Sequence, residues 1–156
     1  IDLLIWLMGP VKSVYASSTK SLLNIETEDT ASSILKFKNG SMGIVEATTA
    51  IEPKDLEGSI SVIGQKGTVV IGGFAVNEIL EWNFVEQKKY DKKIKTISNL
   101  KPSNVYGFGH SFMYEDIINK LMSNKSTALQ GKKIIESIKV IEAMYKSMQT
   151  GKLVNL

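Results

Sequence analysis

The sequence has no cysteine and no arginine, a single histidine (His110) and three prolines among its 156 residues. Without thiols there is no disulfide, zinc–thiolate site, iron–sulfur cluster or cysteine nucleophile. One imidazole rules out any site that needs two histidine ligands. All nineteen cations are lysine, so the planar fork that grips phosphate or guanine at two points is missing and no nucleic-acid partner is expected. The formal charge of +3 is too small an excess to demand a polyanion. No apolar run approaches the roughly 20 residues of a membrane span, so no membrane partner is expected either. What remains is ordinary globular composition, 43% hydrophobic and 22% charged. A chain of 17.2 kDa can bury enough surface for one domain with a proper core.

Residue 1 already lies inside a helical pattern, with Leu3, Leu4, Leu7 and Met8 on a helical spacing and Gly9-Pro10 as the stop. With no initiator Met and no upstream cap, the chain reads as cut from a longer protein. Strands are predicted at 11–17, 29–38, 41–50, 59–63, 68–71 and 76–84, where apolar and polar residues alternate or short apolar runs lie between turns. Asn39-Gly40 supplies the strongest hairpin signal. Such short links imply antiparallel pairing, since a parallel link needs a long crossover. The lysine-rich stretch 85–106 reads as a solvated loop or protected edge, with Ile94 and Ile97 as a weak edge strand, or as an electrostatic lure for an anionic substrate. Helices are predicted at 108–122 and 129–148, with Gly151 as the terminating glycine and 152–156 as a last short strand. The expected class is α+β: a large, mostly antiparallel (mixed) open sheet with helices packed on one face.

The glycines do not build a phosphate cradle. Gly64-Gln-Lys-Gly67 and Gly72-Gly73 join strands and open no helix, whereas a nucleotide-binding loop needs a strand-to-helix junction. Residues 106–110 do open a helix but lack the third glycine and the preceding strand. His110 admits two readings: a helix-start histidine bonded to local backbone, or a ligand contact, since Asn104, Tyr106 and His110 bring amide, phenol and imidazole to one glycine-rich turn. Glu26, Glu28 and Asp29 read as loop and cap chemistry, against a metal or substrate contact. Glu46 falls on the parity of Met42 and Ile44, so it lies at the sheet rim or has a partner. Asp2 would share a helix face with a residue preceding the chain, or is simply a first-turn aspartate favoured by the helix dipole.

At these motifs the chain resembles the glucose–fructose oxidoreductase/inositol dehydrogenase/MocA family. The resemblance rests on residues 1–16, Glu28-Asp-Thr-Ala31, Leu35-Lys-Phe-Lys-Asn-Gly40, Gly43-Ile-Val-Glu-Ala-Thr-Thr49, Gly64-Gln-Lys-Gly-Thr-Val69 and Tyr145-Lys-Ser-Met-Gln-Thr-Gly151. Residues 104–110 further resemble the branch that oxidises the 3-hydroxyl of UDP-N-acetylglucosaminuronic acid. The resemblance implies an N-terminal Rossmann domain holding NAD or NADP, a sugar substrate, and a C-terminal α+β domain whose open sheet face mediates oligomerisation. It implies that the catalytic lysine and histidine lie in that N-terminal part, with Asp2 as the surviving member of a His-x-x-Asp motif. Residues 1–156 are thus expected to be one C-terminal substrate-binding and oligomerisation domain lacking the Rossmann half. No residue of this chain is expected to be catalytic, to bind the cofactor or to ligate metal. Asp2, Asn104, Tyr106 and His110 are the expected substrate contacts, the setting is expected to be cytoplasmic, and the chain alone is expected to be inactive. The alternative is a stand-alone, non-catalytic α+β binding or dimerisation module.

Overall fold

The computed structural model describes residues 1–54, 56, 58–73, 76–91, 93–94, 109–126 and 131–156. Its elements are helix α1 (Asp2–Met8), strands β1 (Val11–Thr19), β2 (Thr30–Phe37), β3 (Met42–Thr48), β4 (Ile60–Gly64), β5 (Gly67–Gly72) and β6 (Glu78–Phe84), helices α2 (Gly109–Met122) and α3 (Gly131–Thr150), and strand β7 (Val154–Asn155). They fall into two compact units, Ile1–Pro53 with Ala128–Leu156, and Lys54–Thr127.

In the first unit the sheet order is β3-β2-β1-β7, and every pairing is antiparallel. The alternation in β2 buries Ser33, Leu35 and Phe37 and exposes Ser32, Ile34 and Lys36. An irregularity in register between Val11 and Ser13 lets Val11 and Val14 both face inward, although they are three residues apart. The core joins Val11, Val14, Ala16, Leu35 and Phe37 of the sheet to Val140, Ala143 and Met144 of α3. Ile1, Leu4, Ile5 and Met8 of the α1 segment pack on its border. Full burial of a side chain such as Leu35 contributes roughly 1.5–3 kcal/mol.

The stripe that α3 buries is not its most hydrophobic one. Val140, Ala143, Met144 and Ser147 are buried, whereas Ile134, Ile135, Ile138 and Ile141 are 40–49% exposed. Three of those four buried side chains are small or β-branched, which lets the helix lie close on β1.

The hairpin forms at Asn39-Gly40, with Gly40 at φ 90° and Asn39 outside the positive-φ region. Phe37 N–H donates to Ser41 O and Gly40 N–H to Phe37 O, the pattern of a three-residue loop with glycine in the left-handed position. Asn39 also ties the hairpin to α1, because its Nδ2 donates to Met8 O at 2.9 Å while its Oδ1 accepts from Ser41 N–H.

The second unit holds the antiparallel sheet β4-β5-β6, and α2 follows it in sequence. A Cβ on Gly67 would lie 2.5 Å from Asn83 O and from the Phe84 ring, so only glycine fits this turn. Ile94 is not in an edge strand: Lys93 and Ile94 N–H donate to Tyr90 O in a helical turn. The turn is started by Asp91, whose carboxylate accepts from Lys88 N–H as in a capping box and from Trp82 Nε1 at 3.0 Å. Ile97 lies outside the described residues. The α+β class and the antiparallel pairing are as expected, with the described strands running in a four-stranded and a three-stranded ladder.

Candidate functional site

Asp2 stands in the first turn of α1, where the helix dipole favours a carboxylate. Its Oδ1 accepts a hydrogen bond from Ser137 Oγ of α3 at 2.8 Å. Asp2 itself is exposed. A mid-helix serine has lower helix propensity than alanine, and here its hydroxyl proton is committed to a carboxylate 135 residues away. Ser137 was not singled out from sequence; the one signal was a small polar residue between Ile134-Ile135 and Ile138.

His110 lies exposed in the first turn of α2, in the second unit. Asn104 and Tyr106 lie outside the described residues. Of the four expected substrate contacts, Asp2 and His110 are therefore placed, each within its own unit.

The acidic cluster proves to be cap chemistry. Asp29 is buried at 1% exposure, and its Oδ2 accepts N–H bonds from Ser21, Leu22 and Leu23 at 2.9, 2.7 and 3.0 Å. The amide of Leu22, then that of Leu23, holds the carboxyl below its ordinary range, against the opposing effect of burial. The result is a strap, residues 20–28, folded around one carboxylate. Glu28 fastens its far end by accepting from the Tyr145 hydroxyl of α3 at 2.8 Å, and this bond to a carboxylate pushes the phenol pKa up. Beneath the strap is a recess of about 480 Å³ bordered by Thr19, Lys20, Glu26, Thr27, Tyr145 and Gln149. Among the described residues, no group of three or more His, Cys, Asp or Glu side chains converges as a metal cage.

Nicotinamide dinucleotides need glycine amides at a strand-to-helix junction. Three glycines of the second unit do not fit that role: Gly64 and Gly67 close a β-hairpin packed on Phe84, and Gly72 ends a strand. No described helix is long and apolar enough to cross a membrane.

The family model described as "Oxidoreductase family, C-terminal alpha/beta domain" matches residues 1–156, and the chain belongs to this C-terminal domain of the Gfo/Idh/MocA oxidoreductases. Among solved structures it is similar to the WlbA dehydrogenase of Chromobacterium violaceum in complex with NADH and UDP-GlcNAcA, at 39% identity and a TM-score of 0.87 over 99% of this chain and 43% of that one. The Bordetella pertussis WlbA dehydrogenase, also in complex with NADH and UDP-GlcNAcA, gives 37% identity and a TM-score of 0.85 over 99% and 42%. A levoglucosan dehydrogenase with NADH and levoglucosan shares the fold at 17% identity, TM-score 0.73, over 100% and 47%. The chain thus spans less than half the length of these relatives. No curated protein sequence matches.

Proposed function

We propose that this chain is the substrate-binding and oligomerisation part of an NAD-dependent sugar-nucleotide dehydrogenase, whose cofactor is held by an N-terminal Rossmann domain. The observation that carries the reading is 37–39% identity over 99% of the chain to two WlbA dehydrogenases bound to NADH and UDP-GlcNAcA. The poor fit of Gly64, Gly67 and Gly72 to a dinucleotide supports it from the other side: oxidation of the sugar hydroxyl needs NAD, and NAD is assigned to the other domain. Asp2, Asn104, Tyr106 and His110 serve as contacts to the sugar nucleotide. Asp2 offers a carboxylate braced by Ser137 and able to accept from sugar hydroxyls. Such an enzyme works in the cytoplasm, where NAD is available.

The open face of the first sheet supports oligomerisation. Tyr15, Ile34, Met42 and Ile44 are 44–66% exposed on it, the kind of contiguous apolar surface that marks an interface. The test is direct. The complete polypeptide with NAD and UDP-N-acetylglucosaminuronic acid should form NADH, read by its absorbance, while residues 1–156 alone should not. Turnover by residues 1–156 alone, or none by the complete polypeptide, overturns the reading.

A further inference from the structure

Asn39 is the one asparagine of the sequence that stands directly before a glycine. Asparagine is a thermolabile residue, and its usual loss begins when the main-chain nitrogen of the next residue attacks its side-chain Cγ. A glycine in that place has no Cβ to obstruct the approach. No heavy atom lies within 4 Å of where a Gly40 Cβ would stand, and both residues are exposed, so water reaches the site. The same amide is a structural link. Its Nδ2 donates to Met8 O at 2.9 Å, one of the carbonyls that end α1 without a partner inside the helix. Its Oδ1 accepts from Ser41 N–H at 2.9 Å and from Ser41 Oγ at 2.6 Å. Beside it, Lys38 N–H donates to Pro10 O at 2.9 Å and Gly40 N–H to Phe37 O at 3.1 Å. Of these bonds, the one to Met8 O alone needs an N–H on the side chain of residue 39.

From this arrangement we propose that Asn39 is a site of spontaneous deamidation, and that its conversion frees the end of α1 from the β2–β3 hairpin irreversibly. The Gly40 nitrogen gives up its proton and bonds to Asn39 Cγ. The Cγ–Nδ2 bond breaks, and Nδ2 takes up a proton and leaves as ammonia. Water then opens the cyclic imide. Opening at Cγ leaves an aspartyl residue, and opening at the main-chain carbonyl leaves an isoaspartyl residue, whose backbone is longer by one methylene. In sum, an amide and a water give a carboxylate and an ammonium ion, with nothing oxidised or reduced. The carboxylate still accepts from Ser41 but cannot donate to Met8 O. It also sets a negative charge against the negative end of the α1 dipole. The Lys38–Pro10 bond is untouched, so the hairpin keeps its place while the helix end comes free. In the intact hairpin the side-chain amide and Gly40 N–H must both leave their partners before they react, so local opening gates the reaction. The inference stands independently of the sugar-nucleotide reading, although α1 is also the helix that carries Asp2.

The experiment ages the complete polypeptide in buffer at about pH 8 and about 37 °C and maps it with trypsin beside an unaged sample. Cleavage after Lys38 and Lys54 releases residues 39–54, in which Asn39 is the sole amide side chain, so the mass gain of amide-to-acid conversion is placed without ambiguity. Conversion should accumulate in this peptide and slow about tenfold for each unit that the pH is lowered, because Gly40 nitrogen must shed its proton. In urea, with the hairpin open, it should run about tenfold faster or more. Asn39→Asp reproduces the aspartyl product without ageing. It should speed exchange of the Gly9 amide, which donates to Ile5 O at the end of α1, by about 3- to 10-fold. The Lys38 amide should be unchanged. Aged wild type, separated from unconverted protein by charge, should show the same Gly9 acceleration. No conversion in the folded protein while the urea sample converts overturns the site, and equal rates in the two overturn the gate. Gly9 exchange that does not change, or Lys38 exchange that accelerates as much as Gly9, overturns the release of α1.

Discussion

Replacing Ser147 with alanine removes one hydroxyl and exposes a weakness in the sheet. Strand β7 pairs with β1 only at Ser13↔Asn155 and Val14↔Val154. Continued two residues further, that register would set Ala16 opposite Lys152. The Ser147 hydroxyl occupies this gap: it accepts from Ala16 N–H at 2.9 Å and donates to Lys152 O at 2.6 Å. Ser147 is fully buried and Ala16 is 2% exposed, so water cannot replace the lost oxygen at the amide, whereas Lys152 is exposed and its carbonyl can turn to solvent. One orphaned buried donor costs about 1–3 kcal/mol. The better helix propensity of alanine returns roughly 0.5 kcal/mol. The expected net loss is about 1–2 kcal/mol, or a fall in Tm of roughly 2–8 °C in a chain of this size. Hydrogen exchange of the Ala16 amide should accelerate beyond that of its neighbours Val14 and Tyr15. Thr150→Ala serves as control, because that hydroxyl only bonds back to Lys146 O on the exposed surface. Should Ser147→Ala match this control, with Ala16 still protected, the inserted hydroxyl is not what completes the ladder.

Other expectations follow from the same structure. Phe37→Ala, at a ring 2% exposed in the core, should cost about 3–5 kcal/mol in chemical denaturation. Asp29 has a depressed folded pKa, so its contribution is complete above the ordinary carboxylate range and is lost as pH falls through the depressed value. Acidification from about pH 5 to about pH 2 should therefore loosen the strap, and Asp29→Asn should speed exchange of the Leu22 and Leu23 amides about tenfold at neutral pH. In the complete enzyme, Ser137→Ala should lower kcat/KM by about 2–10-fold, Ser137→Thr should restore most of it, and the effect should vanish in an Asp2→Asn background. A loss of the same size in both backgrounds would show that Ser137 acts by another route than the Asp2 carboxylate.

Strand β2 was readable because it buries one side. In β2, Ser33, Leu35 and Phe37 alternate with exposed residues, and only a sheet with one covered face produces that pattern. Three features escaped it. The inward stripe of α3 was hidden because its isoleucines, the most hydrophobic residues, are not those that lie on β1; small residues are, and closeness of approach is not written in hydropathy. The helical turn at 91–94 had a readable trigger, since Asp91 stands three residues after Lys88 as a capping residue would, but lysine density suggested an edge. Ser147 was out of reach altogether, because its role depends on where β7 stops pairing. At the candidate site the aspartate was visible from its motif, and its serine brace depends on how α1 and α3 meet.

The way Asp29 holds the strap has a further consequence. It grips main-chain amides, which nearly every residue type presents alike, so the hold does not depend on which side chains stand at 21–23. Those positions, with Leu22 69% exposed, can be rewritten without changing the loop's path, provided that no proline removes an amide hydrogen. Residues 21–23 thus act as an exchangeable cassette on a constant anchor, the natural place to graft a new recognition sequence onto this scaffold.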